Sequence, residues 1–362
     1  MSLTLRIPSR AGVQYRLRGA LYYANYLAGA YREKVWLVGD GRSGTTWLAN
    51  LINYQARYRF CFEPFHPKEE RLPQALGPFP YIRPGSRPAE LESHLRAVFS
   101  GQYQSWWSDQ YHQGYRFEGL LVKCIFAHLF LGWADEILPE VRKVLLLRHP
   151  CAVAASKKAL SNSYWANEPA QFWEQAELRE DYLRPYEKLI RTTTDPFLKS
   201  VVSWAIVNTV PLRQLGEGRF HIVYYERLCE EPEQELGRLF QYLDYPVADP
   251  WKEQRLRSLY NAPSQTSRAS NGGVSPEERV YGWTRNVERD TIARAVEILS
   301  EFGLDHLYGE DPRPKLQHSH GIACGRLGSQ PPLENLGEPG AILGQVEVAK
   351  HRFPRRDSQP LA

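Results

Sequence analysis

No stretch of the 362-residue chain approaches the roughly 20 consecutive apolar residues that cross a bilayer, so no transmembrane helix is expected. Cysteine is scarce and poorly arranged for cross-linking: Cys61, Cys124, Cys151, Cys229 and Cys324 are odd in number, widely spaced and without a CxxC pair. They read as buried thiols, not as a disulfide frame or a zinc site. The opening MSLTLRIPSR lacks the apolar core of a secretory leader, so a reducing, cytoplasmic setting is the expectation. The net charge is only +4, mildly basic and short of what a nucleic-acid binder usually carries, so nucleic acid is not an expected partner. No repeat of fixed period is visible. What remains, 43% hydrophobic and 24% charged residues, is a globular composition long enough for one large α/β domain or two ordinary ones.

Residues 1–34 carry Arg6, Arg10, Arg16, Arg18, Arg32 and Lys34 against the single acid Glu33, around an uncharged, Tyr-rich run from Gly19 to Tyr31. This basic amphipathic lead-in reads as a surface helix packed on the domain. Peripheral contact with a membrane surface, or with a partner, is the other reading. From Val35 the pattern changes to strands feeding helices: VWLVG before Trp47, Leu48, Leu51 and Ile52; Gly119 to Val122 before Ala134 to Glu140; VRKVLLLR before a helix from about Cys151. A third unit joins a strand over Arg219 to Leu228 to the helix PEQELGRLFQYL, with Pro232 near its start. Runs such as VLLL suit strands buried on both faces, which predicts an α/β fold with a central parallel sheet flanked by helices. We expect one domain over 35–312 and, beyond Pro312, a Gly/Pro/His-rich loose tail over 313–362.

GDGRSGTTWL, Gly39 to Leu48, lies between a predicted strand and a predicted helix. A Gly-rich turn at that place exposes backbone N–H groups at a positive helix end and makes an anion cradle. Gly39, Gly41 and Gly44 permit the tight curl, Ser43, Thr45 and Thr46 offer hydroxyls, and Arg42 adds a permanent fork of charge. The spacing differs from GxxxxGK[ST], and no Lys follows Gly44, which argues against a nucleoside-triphosphate loop. A second anion signal is LLLRHPCAVAASKKAL, with Arg148 at the carboxyl end of a strand and Ser156 eight residues on. Alone, an Arg-His-Pro turn is often a capped surface turn. Ligands gather outside the carboxyl ends of strands in open α/β sheets, however, so both signals belong at one crevice.

The two motifs, in this order, resemble those of sulfotransferases that use 3′-phosphoadenosine 5′-phosphosulfate (PAPS). The resemblance implies a P-loop-like three-layer fold, PAPS as donor and no required metal. It further implies that Ser43, Gly44, Thr45 and Thr46 bind the 5′-phosphate, Trp47 lies near the adenine, and Arg148 and Ser156 clamp the 3′-phosphate. HIVYYERL is similar to the family's adenine-contacting segment through Tyr225, and GWTRNV, Gly282 to Val287, to its closing Trp segment. Arg268, in the preceding polar loop, is a further 3′-phosphate candidate. Arg42 stands where many cytosolic members have Lys, a pattern closer to carbohydrate-acting and bacterial members than to phenol or steroid ones.

Sulfuryl transfer needs charge stabilisation on the leaving phosphate and a base for the acceptor proton. Arg42 is the candidate on the leaving-group side, and Lys123 would touch the sulfuryl oxygens. The His that cytosolic relatives carry two residues after that Lys is Ile125 here. Glu63 is therefore the preferred base, in a setting of Phe60, Phe62 and Phe65 that disfavours a buried charge. His66 and His128 remain the alternatives. The resemblance leaves a small-molecule, lipid or glycan acceptor open. A kinase-like P-loop phosphotransferase and a non-catalytic nucleotide-binding relative are the competing functions.

Overall fold

The structure is a computed structural model that describes residues 10–70, 76–111, 114–159, 168–216, 218–247, 249–263 and 274–315. Helix α1 (Arg10–Leu27) leads into β1 (Glu33–Gly39), α2 (Thr45–Ile52) and β2 (Tyr58–Phe62). Next come α3 (Ala89–Phe99), β3 (Gly119–Cys124), α4 (Leu131–Ile137), β4 (Arg142–Leu147) and α5 (Pro150–Lys158). After short helical turns the chain runs through α6 (Pro196–Gln214), β5 (Phe220–Tyr224), α7 (Tyr225–Glu230) and α8 (Pro232–Tyr242). It continues with α9 (Gln254–Asn261), α10 (Pro276–Tyr281) and α11 (Arg289–Glu301).

The strands form one five-stranded sheet in the order β2-β3-β1-β4-β5, and every pairing is parallel. Alternate side chains of each strand enter opposite layers, as strand geometry dictates. Trp36 and Val38 of β1 join Leu120, Val122, Leu145 and Leu147 on one face, together with side chains of α3, α5, α6 and α11. Val35 and Leu37 join Leu121, Val144, Leu146 and Val223 on the other, with α2, α7, α8 and α9. Burial on both faces explains the unbroken apolar runs and yields the three-layer, P-loop-like α/β architecture. Trp36 is fully buried against Phe99 at a centroid distance of 4.9 Å. Its truncation to Ala would cost about 3–5 kcal/mol through the cavity left behind.

Two helices are set by their first turns. The Asp195 carboxylate accepts the Leu198 N–H at 2.8 Å to cap α6, with Pro196 in the first turn. The His149 ring caps α5 by accepting the Cys151 N–H at 3.2 Å. Cys61, Cys124, Cys151 and Cys229 are buried free thiols, as expected; Cys324 lies outside the described residues.

Three features differ from the sequence reading. The strand expected over Arg219 to Leu228 ends at Tyr224, because its neighbour β4 ends at Leu147, the residue paired with Tyr224. The next residues coil into α7. Strand β2 was not expected as a separate element, since its second residue, Arg59, is a buried cation paired with Asp109 at 3.0 Å. Helix α6 was also not expected; Val201, Val202, Trp204, Ala205 and Ile206 are buried in succession, which hides a one-faced periodicity. Among the described residues, no helix is long and apolar enough to cross a membrane.

Candidate active site

The chain leaves β1 for β2 on one side of the sheet and returns by β4 on the other, so the ends of β1 and β4 flank a topological switch point. Their register, Gly39 against Leu146, brings the turns Asp40–Gly44 and Arg148–His149 to the same edge. Gly44 adopts φ +94 as the residue before α2, and no side chain caps this helix. The first N–H groups of α2 are thus left for an anion. A Cβ at Gly44 would stand 2.7 Å from Cε2 of Tyr225, so only glycine fits both the backbone and the ring.

Arg42 holds φ +76, an uncommon conformation for a long side chain. The turned backbone presents its carbonyl to Arg148, whose Nη1 donates at 3.0 Å, and its own Nε donates to the Ser156 hydroxyl at 3.1 Å. Arg42, Arg148 and Ser156 therefore converge on one loop. Among the described residues, the Ser43 hydroxyl and Arg148 Nε are buried without a hydrogen-bond partner, which is costly unless a ligand supplies one. Beneath the loop, Lys157 donates to both oxygens of Asp40 at 3.0 and 2.7 Å, a buried ion pair fastening the turn to α5.

An aromatic wall stands beside the cradle. Trp47 packs on Tyr225 and Tyr260 at centroid distances of 5.5 and 5.4 Å. The Arg148 guanidinium lies 4.2 Å from the centre of the Tyr225 ring, and that of Arg279 lies 5.1 Å from Trp47. The Tyr260 carbonyl accepts from both Trp47 Nε1, at 3.2 Å, and Arg279 Nη1, at 3.1 Å. The Arg148 turn is buttressed by His149, stacked on Trp283 at 4.8 Å, and by Glu226, which accepts the His149 N–H at 2.8 Å and the Tyr308 hydroxyl at 2.9 Å. Burial pushes the Glu226 carboxyl up to about 7 and the His149 imidazole down to about 4.

Glu63 follows β2 directly, with φ +47 and its backbone N–H bonded to the Lys123 carbonyl at 2.7 Å. Its side chain, 3% exposed, takes a hydrogen bond from the Lys123 ammonium, which also lies 4.6 Å from the centre of the Phe62 ring. His66 Nε2 lies 4.0 Å from the other Glu63 oxygen. His66 Nδ1 accepts the backbone N–H groups of Lys68 and Glu69, so the ring proton belongs on Nε2, facing Glu63. Burial holds this imidazole neutral by pushing its pKa down to about 4. Trp107 covers the group, 4.8 Å from His66 and 5.5 Å from Phe62.

The model of the sulfotransferase family matches residues 35–249, more than half of the chain. The chain belongs to the sulfotransferase family. Solved structures that it resembles include a sulfotransferase domain from the curacin biosynthetic pathway, 17% identical, covering 75% of this chain and 97% of that one, with a TM-score of 0.39. The sulfotransferase STF9 from Mycobacterium avium is 15% identical, with 82% and 83% covered and a TM-score of 0.42. The mouse sulfotransferase SULT7A1 complexed with PAP is 13% identical, with 78% and 90% covered and a TM-score of 0.40. No curated protein matches the chain in sequence.

In this sulfotransferase-family chain the loop residues Arg42, Ser43, Gly44, Thr45 and Thr46 share one edge with Trp47, Arg148, Ser156 and Tyr225. Glu63, Lys123 and His66 form a second group. His128 joins neither: it is fully buried, the charges acting on it are Asp40 and Lys157, and burial pushes its pKa down to about 4. Arg268 lies outside the described residues. Arg279, Trp107 and the Asp40–Lys157 pair were passed over in the sequence. A PEERVY helix and a Trp-Trp dipeptide carry no local signal of a site. Among the described residues, no cluster of three or more His, Cys, Asp or Glu is placed to hold a metal ion.

Proposed function

We propose that this chain transfers a sulfuryl group from PAPS to a hydroxyl or amine of a small-molecule, lipid or glycan acceptor, with Glu63 as the general base. The observation that carries the donor assignment is the convergence of Arg42, Arg148 and Ser156 on an uncapped helix start, with Ser43 Oγ and Arg148 Nε buried and unsatisfied. Ser43, Gly44, Thr45 and Thr46 would hold the 5′-phosphate, Arg148 and Ser156 the 3′-phosphate, and Trp47, Tyr225 and Arg279 the nucleoside. PAPS, when bound, supplies an activated sulfur–oxygen bond to its 5′-phosphate.

Glu63 takes the acceptor proton as the acceptor oxygen or nitrogen bonds to sulfur. The bond from sulfur to the 5′-phosphate oxygen breaks, and Arg42 with the first N–H groups of α2 meets the charge left on that phosphate. Lys123 exchanges its hold on Glu63 for the sulfuryl oxygens, which frees the carboxylate for the proton. His66, with its proton on Nε2, orients Glu63 and is not the base. His128, sealed in the core, is a structural imidazole. The reading assigns catalysis to residues 35–312 in a reducing, cytoplasmic compartment, where buried thiols stay reduced.

Calorimetric titration with adenosine 3′,5′-bisphosphate, alongside ATP with magnesium, tests the donor. Tight, metal-independent binding of the bisphosphate alone is expected. Preference for ATP with magnesium would replace this reading with a phosphotransferase.

A further inference from the structure

Helix α1 has two faces, and the apolar one points outward. Its inner face is polar and tied down. The Tyr15 hydroxyl donates to the Gln104 carbonyl at 3.3 Å, Gln104 Nε2 donates to the Tyr15 carbonyl at 2.9 Å, and Arg18 donates to the Asp109 carbonyl at 2.9 Å. Tyr22 is buried under the Arg59 guanidinium at 3.6 Å, and Asn25 donates to the Tyr115 carbonyl at 2.8 Å. The opposite face carries Val13, Leu17, Ala20, Ala24 and Leu27, all exposed. At 100° per residue, these five fall within an arc of about 80°. Leu17 is 60% exposed and Leu27 67%, values that leave most of each side chain in water.

The surroundings of the stripe suit a lipid interface. Exposed Tyr23 and Arg16 border it on the helix. Residues 1–32 contain Arg6, Arg10, Arg16, Arg18 and Arg32 and no carboxylate. Exposed Leu with Tyr23 seeks the boundary between water and acyl chains, and an all-cationic segment complements anionic headgroups. A second copy of the chain is the weaker occupant. The 4-3-4-3 spacing spans about two heptads, short of the three or four of a coiled coil. Side-by-side α1 helices would also bring only arginines together.

We propose that α1 docks this chain, through its exposed stripe, onto an anionic membrane surface. The proposal holds whatever group the enzyme transfers. It also gives the docked face a mechanical link to the site: the segment bonded to Tyr15 and Arg18 carries Trp107, which covers His66 and Phe62.

The test is co-sedimentation of the full chain with phosphatidylcholine vesicles, with and without phosphatidylglycerol. The wild type is expected to pellet with the anionic vesicles only, and less at high salt. Leu17→Glu/Leu27→Glu, both exposed and so compatible with folding, should weaken binding at least about tenfold, because two apolar side chains no longer leave water. Arg16→Glu, a second exposed change, should weaken it less. The proposal is overturned by a wild type that stays in the supernatant, or by variants that pellet equally well. A concentration-dependent dimer in sedimentation velocity that the double variant abolishes, without vesicle binding, would overturn it in favour of a second copy.

Discussion

At the proposed donor end, the loop is held largely through backbone: Arg148 reads the carbonyl of Arg42, Gly44 supplies the left-handed turn, and the start of α2 offers its N–H groups. At the proposed acceptor end Glu63 is held by side chains, with Lys123 on one oxygen, His66 facing the other and Trp107 as cover. A site made of backbone is preorganised and tolerates change only at its glycines and arginines. A site made of an ion pair can exchange partners, which a proton-transfer step requires. On the proposed function, the first end would bind the donor and the second would rearrange during proton transfer.

The largest effect should come from separating the two. Glu63→Gln keeps the size and removes the proton acceptor, so turnover should fall by about 10²–10⁴-fold. Bisphosphate affinity, measured by calorimetry, should stay unchanged. Retained turnover would remove Glu63 as the base; lost affinity would show the two ends to be one coupled network.

Arg148→Ala attacks the other end. It removes a guanidinium whose Nε is unsatisfied and which braces Arg42. Loss of a charge-assisted contact of about 1.5–3 kcal/mol predicts roughly 10- to 100-fold weaker binding of adenosine 3′,5′-bisphosphate. Adenosine 5′-phosphosulfate, which lacks the 3′-phosphate, should lose much less. Equal losses for the two ligands would remove Arg148 from the 3′-phosphate.

A smaller effect is expected at Gly44→Ala, where φ +94 and a 2.7 Å approach to Tyr225 both oppose a Cβ. Stability should drop by about 1–3 kcal/mol in denaturant unfolding, and donor binding should weaken as the loop shifts. An unchanged midpoint would mean that Tyr225 swings aside freely.

The same contrast explains what the sequence disclosed. The meeting of the loop with Arg148 and Ser156 was legible because glycines, hydroxyls and a helix start lie in consecutive residues, and Arg148 and Ser156 share one strand-helix unit. The parallel sheet was legible because strands buried on both faces lose their polar alternation. The acceptor end draws on three segments; Glu63, His66 and Lys123 could each be named as candidates, but their contact and the Trp107 cover exist only after folding. Helix α6 was hidden by burial around its circumference, and β2 by Arg59, whose partner Asp109 lies fifty residues on. Arg279 was missed for the same reason: its relation to Trp47 and Tyr260 exists only after folding.

The smallest predicted effect lies beneath the donor end, where Glu226 supports the His149 turn. Its folded pKa of about 7 exceeds the ordinary 4.5, because burial penalises the carboxylate. The stability it contributes is therefore complete below pH 4.5 and lost as pH rises through 7. His149 runs the opposite way: lowered by burial from 6.5 to about 4, its contribution is complete above 6.5 and lost as pH falls toward 4. His66 and His128 follow the same sign, so acid should destabilise the wild type overall. Glu226→Gln removes an opposing group and leaves the histidines. Thermal unfolding at pH 5 and pH 8 should therefore show the variant gaining on the wild type at the higher pH, by on the order of 1 kcal/mol. Parallel curves would mean that Glu226 is ionised in both states at pH 8 without cost, and that Arg148 already balances its charge across the turn.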